Sequence, residues 1–200
     1  MKQQMPKVVD HDKRRMSIVR AYLELVGERG MPEANSRALA QKMGISNSLL
    51  WRYFDDMNQL IEQAYRTITE DTNARIQRSV HGRCGVEAFN RALDEIFPIS
   101  YESRIEAKIA VSFWGLTVAT RSQAPVTLHE IGEWSQLLSS FLEQAIERGE
   151  IAATTPVLAI VRMALATGIQ AQVEFALTLS ESIAKDLRNS VHDMLSIVAV

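Results

Sequence analysis

The stretch "LAQKMGISNSLLWRYFDDMNQL", Leu39 to Leu60, decides how the chain is read. An apolar-periodic segment (Leu39, Ala40, Met43) breaks at Gly44, restarts after Ser46, and runs into Trp51, Arg52 and Tyr53. Glycine accepts the backbone that a tight turn demands, Ile45 plugs the turn, and Ser46 offers a side-chain acceptor to the free amides of a new helix. Ala40 supplies the small residue needed where two short helices touch. The pattern predicts a helix-turn-helix, whose first helix braces against a phosphate backbone while the second enters the major groove, N-terminal residues first.

Working outward, helical periodicity dominates and no hairpin signal interrupts it. A first helix is expected from His11 to Arg29, with Ile18, Tyr22, Leu25 and Val26 as its stripe and Gly30 as its stop. Asn35 or Ser36 caps a second helix, and Ser46 caps a third that reaches about Phe54. Asp56 heads a fourth helix running to about Val80, and Gln59 three residues on completes a capping-box pattern. Further helices are expected over 86–97, 100–121, 126–148, 156–179 and 182–199. The predicted fold class is all-α, with about nine helices: an N-terminal three-helix helix-turn-helix domain over 1–60, then a helical bundle for dimerisation and ligand sensing over 61–200.

Composition is that of a globular chain: 200 residues, 46% hydrophobic and 23% charged. No run is read as long enough to span a membrane, and Met1–Arg20 lacks an apolar signal core. A single cysteine, Cys84, excludes an intramolecular disulfide and a cysteine-based zinc site, so the expected compartment is the cytoplasm. The net charge of −2 hides an asymmetry. Residues 1–60 carry ten Lys/Arg against seven Asp/Glu, and the remainder twelve against seventeen. The basic end, with Lys2, Lys7, Lys13, Arg14 and Arg15, suits an anionic partner or is a solvated arm.

In the helix-turn-helix reading, Asn47 and Ser48 open the third helix where side chains face base edges; Asn pairs bidentately with adenine and Ser is promiscuous. Arg52 is placed to reach guanine or phosphate, Trp51 and Tyr53 to touch sugar, phosphate or a thymine methyl. Asn35, Ser36 and Arg37, with Ser46, are candidates for phosphate. The alternative for each is capping or surface solvation, and for Tyr53 and Phe54 the core. One such module makes few base contacts, so a two-fold dimer reading a near-palindromic double-stranded DNA operator is expected, its half-sites about 34–36 Å apart or a multiple of that.

The segment "RRMSIVRAYLELVGERG…NSRALAQKMGISNSLLWRYFDDMNQLI" resembles the DNA-binding domain of the TetR family of transcriptional regulators at Ile18, Ala21, Leu25, Gly30, Leu39, Ala40, Gly44, Ile45, Ser46, Leu50, Tyr53, Phe54 and Leu60. The later "AVSFWGLTVATRSQAPVTLHEIGEWSQLLSSFLEQAIERGEI" is similar to the BetI-like C-terminal domain of that family. The resemblance implies a dimeric repressor released from its operator by a small molecule. The family usually has Tyr where Trp51 stands and often Lys where Met57 stands, so this chain lacks a phosphate-pairing ammonium there and leaves backbone amides as donors.

Two apolar stripes offer a dimer interface: Val161, Ala164, Leu165, Gly168 and Gln172 on one helix, Leu187, Val191, Met194 and Leu195 on the next. They could instead bury only inside the subunit. Residues 105–119 are apolar nearly all round, which predicts a central buried helix. Phe113, Trp114 and Thr117 on it, Trp134 and Phe141 on the next, and Gln170 and Glu174 further on are candidates to line an effector pocket, or are plain core and surface. A BetI-like ligand would be a quaternary amine held against Trp114 or Trp134.

An enzyme is the main rival class. The chain has no glycine-rich phosphate loop and no nucleophile elbow, "HEIGE" at His129 lacks a second zinc-binding histidine, and no metal or cofactor is expected. A helical adaptor or a ligand-binding protein without DNA-binding activity is the other rival, and it would not need the Asn47–Tyr53 face.

Overall fold

The computed structural model describes residues 7–120 and 124–197, with side chains for 11–119 and 129–197. Lys2 and Lys7 therefore lie outside the described side chains. Among the described residues the regular structure is nine α-helices: α1 Lys7–Arg29, α2 Ser36–Met43, α3 Asn47–Leu50, α4 Met57–Val80, α5 Gly85–Ile96, α6 Tyr101–Thr120, α7 Ala124–Glu147, α8 Val157–Thr178 and α9 Glu181–Ser196. They form two compact units, one up to Ile68 and one from Thr69, so the division falls inside α4 and later than residue 60.

The first unit packs α1 to α3 and the start of α4. Ile18, Val19, Tyr22, Leu25 and Val26 on α1 are buried with Leu39 and Ala40 of α2, Leu50 of α3, Phe54, and Leu60 and Ala64 of α4. Gly30 stops α1 with φ +80°. Burial pushes the Tyr22 phenol up to about 12, and its hydroxyl meets Met31 Sδ at 3.9 Å. Lys42 of α2 reaches back to α1, pairing with Glu28 at 2.7 Å and Glu24 at 3.4 Å. Its ammonium is held above its ordinary pKa, first by the Glu28 hydrogen bond.

The second unit centres on α5, not on α6 as its all-round apolar sequence predicted. Ala88, Phe89, Ala92, Leu93 and Ile96 of α5 form one core with Leu138, Phe141 and Leu142 of α7, Val161, Ala164 and Leu165 of α8, and Val191 and Leu195 of α9. In α6 only one face is covered: Ala107, Ala110 and Phe113 are buried while Val118 is 79% exposed. The "RGEI" segment has a clear task here. Glu150 accepts the Val86 amide at the start of α5 (2.8 Å), Arg148 steadies that carboxylate at 2.6 Å, and Ile151 enters the core. The Arg148 hydrogen bond, then that of Val86, holds the Glu150 carboxyl below its ordinary pKa.

Arg75 ties α4 to α5 and α6, donating to Glu95 (3.0 Å) and with both amino groups to Glu106 (2.6 Å each). Burial opposes its charge, but the Glu106 and Glu95 contacts outweigh that and raise its pKa. Helix α8 is long and apolar enough, by length and composition, to cross a membrane, contrary to the sequence expectation that no run reaches that length. Its inward face nevertheless belongs to the core just described.

Candidate nucleic-acid interface

The turn between α2 and α3 is built as its sequence requires. Gly44 sits in the left-handed region (φ 63°, ψ 33°) and its amide bonds back to Ala40 and Gln41, while Ile45 N donates to Ala40 O at 3.0 Å. This is the Schellman arrangement, which satisfies the orphan carbonyls of a helix end and needs a residue free of the Cβ penalty at the turn. Asn35 caps α2, its Oδ1 accepting from the Arg37 and Ala38 amides at 3.1 Å each. Ser46 caps α3, its Oγ accepting from Leu49 N at 3.2 Å. Those two candidates for phosphate contact thus have their side-chain acceptors engaged by their own helices.

Helix α3 is shorter than predicted. It ends at Leu50, and the chain continues as a tighter turn in which Arg52 N donates to Leu49 O and Tyr53 N to Leu50 O, three residues back rather than four. Two demands draw the chain off the helical path. Phe54 is only 1% exposed, and Arg15 of α1 donates from Nη1 to the Tyr53 carbonyl at 2.7 Å with its guanidinium 4.4 Å over the Phe54 ring. Arg15 therefore braces the domain from within and is not part of a free basic arm.

The groove-facing candidates divide in two. Asn47 is exposed, and with its amide assigned in the orientation that its neighbours satisfy, Nδ2 donates to Ser36 O and Oγ at 3.3 and 3.2 Å and Oδ1 accepts from Trp51 Nε1 at 3.2 Å. It ties the start of α2 to the end of α3. Tyr53 is half-buried with its ring 4.8 Å from that of His11. Ser48, Arg52 and Arg37 are exposed, and Ser48 Oγ lies 3.0 Å from Ser46 Oγ. Among the described residues the Arg37 and Arg52 guanidiniums have no ion-pair partner. At the start of α4, Asp56 Oδ1 accepts the Gln59 amide at 2.8 Å and Gln59 Oε1 accepts the Asp55 amide at 2.9 Å. Of the amides that Met57 was expected to leave for a phosphate, that of Gln59 is thus taken by Asp56, while the Asp55 carboxylate accepts from Gln59 Nε2 at 3.0 Å.

The effector candidates stand in different settings among the described residues. Phe141 lies in the α5-centred core, Phe113 is buried on α6, and Gln170 is exposed and bonded to Glu174 at 2.7 Å one turn on. Trp114 is half-buried, and Thr117 is buried with its Oγ1 unpaired among the described residues. Trp134 borders a cleft of about 240 Å³ with Asn73, Ile76, Gln77, Glu133 and Leu137. Asn73 Oδ1 accepts from its Nε1 at 2.7 Å and so fixes the ring.

The dimer candidates need correcting. Val161, Ala164, Leu165, Gly168, Val191 and Leu195 are already buried within the single chain, Gln172 donates to the Ile96 carbonyl at 3.1 Å, and Leu187 and Met194 pack against the same core. The reason is fit. Gly168 lets Phe97 approach so closely that a Cβ there would stand 3.4 Å from the ring. The open side of α8 is the other one. Leu158 (49% exposed), Met163 (57%), Ile169 (37%) and Leu177 (76%) stand on it with Ala159 and Ala166.

Residues 18–64 match the family model described as bacterial regulatory proteins, tetR family. The chain is 32% identical over 110 residues to the HTH-type transcriptional regulator PksA of Bacillus subtilis (strain 168), covering 54% of each. It is 29% identical over 116 residues to the HTH-type transcriptional regulator BetI of Proteus mirabilis (strain HI4320), covering 55% of this chain and 56% of that one. The match thus spans little more than half the length of either relative. A transcriptional regulator from Saccharomonospora viridis, crystallised in complex with choline, shares the fold over 92% of this chain and 96% of its own, with a TM-score of 0.80 and 14% identity.

Proposed function

From a chain that belongs to the TetR family through its residues 18–64, we propose a sequence-specific DNA-binding transcriptional regulator, a homodimeric repressor released from a palindromic operator by a small molecule. The observation that carries the reading is the α2–Gly44–α3 unit, with Ser48 and Arg52 exposed on the segment that would enter the groove. Ser48 and Arg52 read bases and Arg37 meets phosphate; Asn47, Ser36 and Trp51 keep the two helices at a fixed angle beside them. As a DNA-bound regulator it works in the cytoplasm and catalyses no reaction.

The second copy docks on the open face of α8. Ala159, Met163, Ala166, Gln170, Val173 and Leu177 recur at alternating spacings of four and three, a seam of the kind expected of paired helices with one polar position. An apolar row of this kind, set on a helix whose other side is already packed, fits self-association better than solvent.

The effector is an organic cation seated in the cleft at Trp134. A ring fixed by Asn73 presents a face for cation–π attraction, and Glu133 supplies a carboxylate. The neighbour complexed with choline supports that chemistry. Helix α4 carries Asn73 and Ile76 of this cleft and also begins just after the DNA-reading segment, so a ligand that prefers one setting of α4 shifts the operator-binding population.

Salt-dependent binding to duplex DNA tests the reading against a protein adaptor. Binding that falls steeply with salt concentration, and is relieved by choline for a selected duplex, is expected. Absence of any duplex binding at low salt would overturn it.

A further inference from the structure

A second cleft, of about 340 Å³, lies between α5 and α9 and is lined by Asp94, Ile99, Lys185, Arg188, Asn189 and His192. We propose that it binds a small organic monocarboxylate, at a site separate from both the DNA-reading face and the cleft at Trp134. Lys185 stands three and four residues before Arg188 and Asn189, and His192 four and three residues after them, so one face of α9 presents an ammonium, a guanidinium, an amide and an imidazole to the same space.

The guanidinium is built in. Arg188 is 8% exposed, donates from Nε to Asp94 at 2.9 Å, and donates from Nη2 to the carbonyl and side-chain oxygens of Asn90 at 3.1 and 2.9 Å. Among the described residues its Nη1 group has no partner. A buried, rigidly held cation with donors to spare, opening onto a cleft, is the ordinary apparatus of carboxylate recognition.

Charge selects the ligand. Lys185 and Arg188 against Asp94 leave the lining with one positive charge while His192 is neutral. That matches a monoanion, and the Asp94 carboxylate opposes a dianion such as phosphate. Ile99 and the aliphatic stems of Lys185 and Arg188 provide an apolar wall for the rest of the molecule, and the volume suits a compound of one ring. On the opposite flank of α9, Leu187 and Met194 pack against the core, so the cleft is independent of the α8 face assigned to the dimer.

The test titrates benzoate into the full chain, with benzamide as its neutral isostere and inorganic phosphate as a compact anion, followed by calorimetry and by backbone amide NMR shifts. Saturable benzoate binding with shifts at Asp94, Ile99 and residues 185–192 is expected, with benzamide about tenfold weaker. The Lys185→Gln variant should weaken benzoate about threefold while leaving duplex binding and thermal midpoint in place. Equal affinity for benzoate and benzamide, tighter binding of phosphate, shifts centred on Trp134, or indifference to Lys185→Gln would each overturn the proposal.

Discussion

Arg15 grips the peptide that follows the third helix: its Nη1 donates to the Tyr53 carbonyl at 2.7 Å, and its guanidinium lies over the Phe54 ring. A residue that sequence alone offers as part of a basic arm is therefore an internal strut. Arg15→Ala should cost about 1–3 kcal/mol in chemical denaturation, from the lost charged hydrogen bond and the cation–π contact together. It should weaken every duplex equally. Lys13→Ala, at an exposed site on the same helix, should leave stability unchanged.

Gly44 and Gly85, two of the glycines with positive φ at helix junctions, should respond differently to alanine. Gly44 has open space around its missing Cβ, so Gly44→Ala costs only the backbone term, about 1 kcal/mol. At Gly85 a Cβ would also stand 2.8 Å from the carboxyl carbon of Glu150, which must swing off the α5 amide. Gly85→Ala should therefore lower the thermal midpoint more than Gly44→Ala.

Tyr22 sets an alkaline limit. Its folded pKa of about 12 exceeds the free value of 10.0, so the folded state keeps its proton longer than the unfolded chain. Its contribution is fully present below pH 10.0 and is lost as pH rises toward about 12. Spectrophotometric titration should show one phenol ionising late, and Tyr22→Phe should remove that late component and flatten the fall in stability over the same range.

The helix-turn-helix was legible because local chemistry dictates it: Gly44, Ile45, Ser46, Asp56 and Gln59 act within a few residues of themselves. The end of α3 was not. Trp51 to Tyr53 satisfy a helical pattern, and only the pull of buried Phe54 and distant Arg15 tightens that turn. The face of α8 escaped for a related reason. A helix apolar on both sides gives no periodic signal of which side turns inward, and the small residues that suggested a dimer seam are small because Phe97 packs on Gly168. The ties of Asn47 to Ser36 and Trp51 escaped as well, because these residues become neighbours only once both helices are in place.

That assignment of α8 separates two substitutions. Met163→Glu, on the open face, should give a folded monomer by analytical ultracentrifugation. Val161→Glu, at a site with 0% exposure, should destabilise the subunit itself. A Met163→Glu variant that stays dimeric would move the interface elsewhere.

Recovery of bound duplexes from a random pool, run in parallel on the unaltered chain and on Ser48→Ala and Arg52→Ala, probes the reading face most directly. The unaltered chain should enrich an inverted repeat with half-sites about 34–36 Å apart or a multiple of that, and each variant should lose preference at one or two positions per half while still binding DNA. A pool that enriches nothing, or the same repeat emerging intact from all three proteins, would contradict the assignment of Ser48 and Arg52 to the bases.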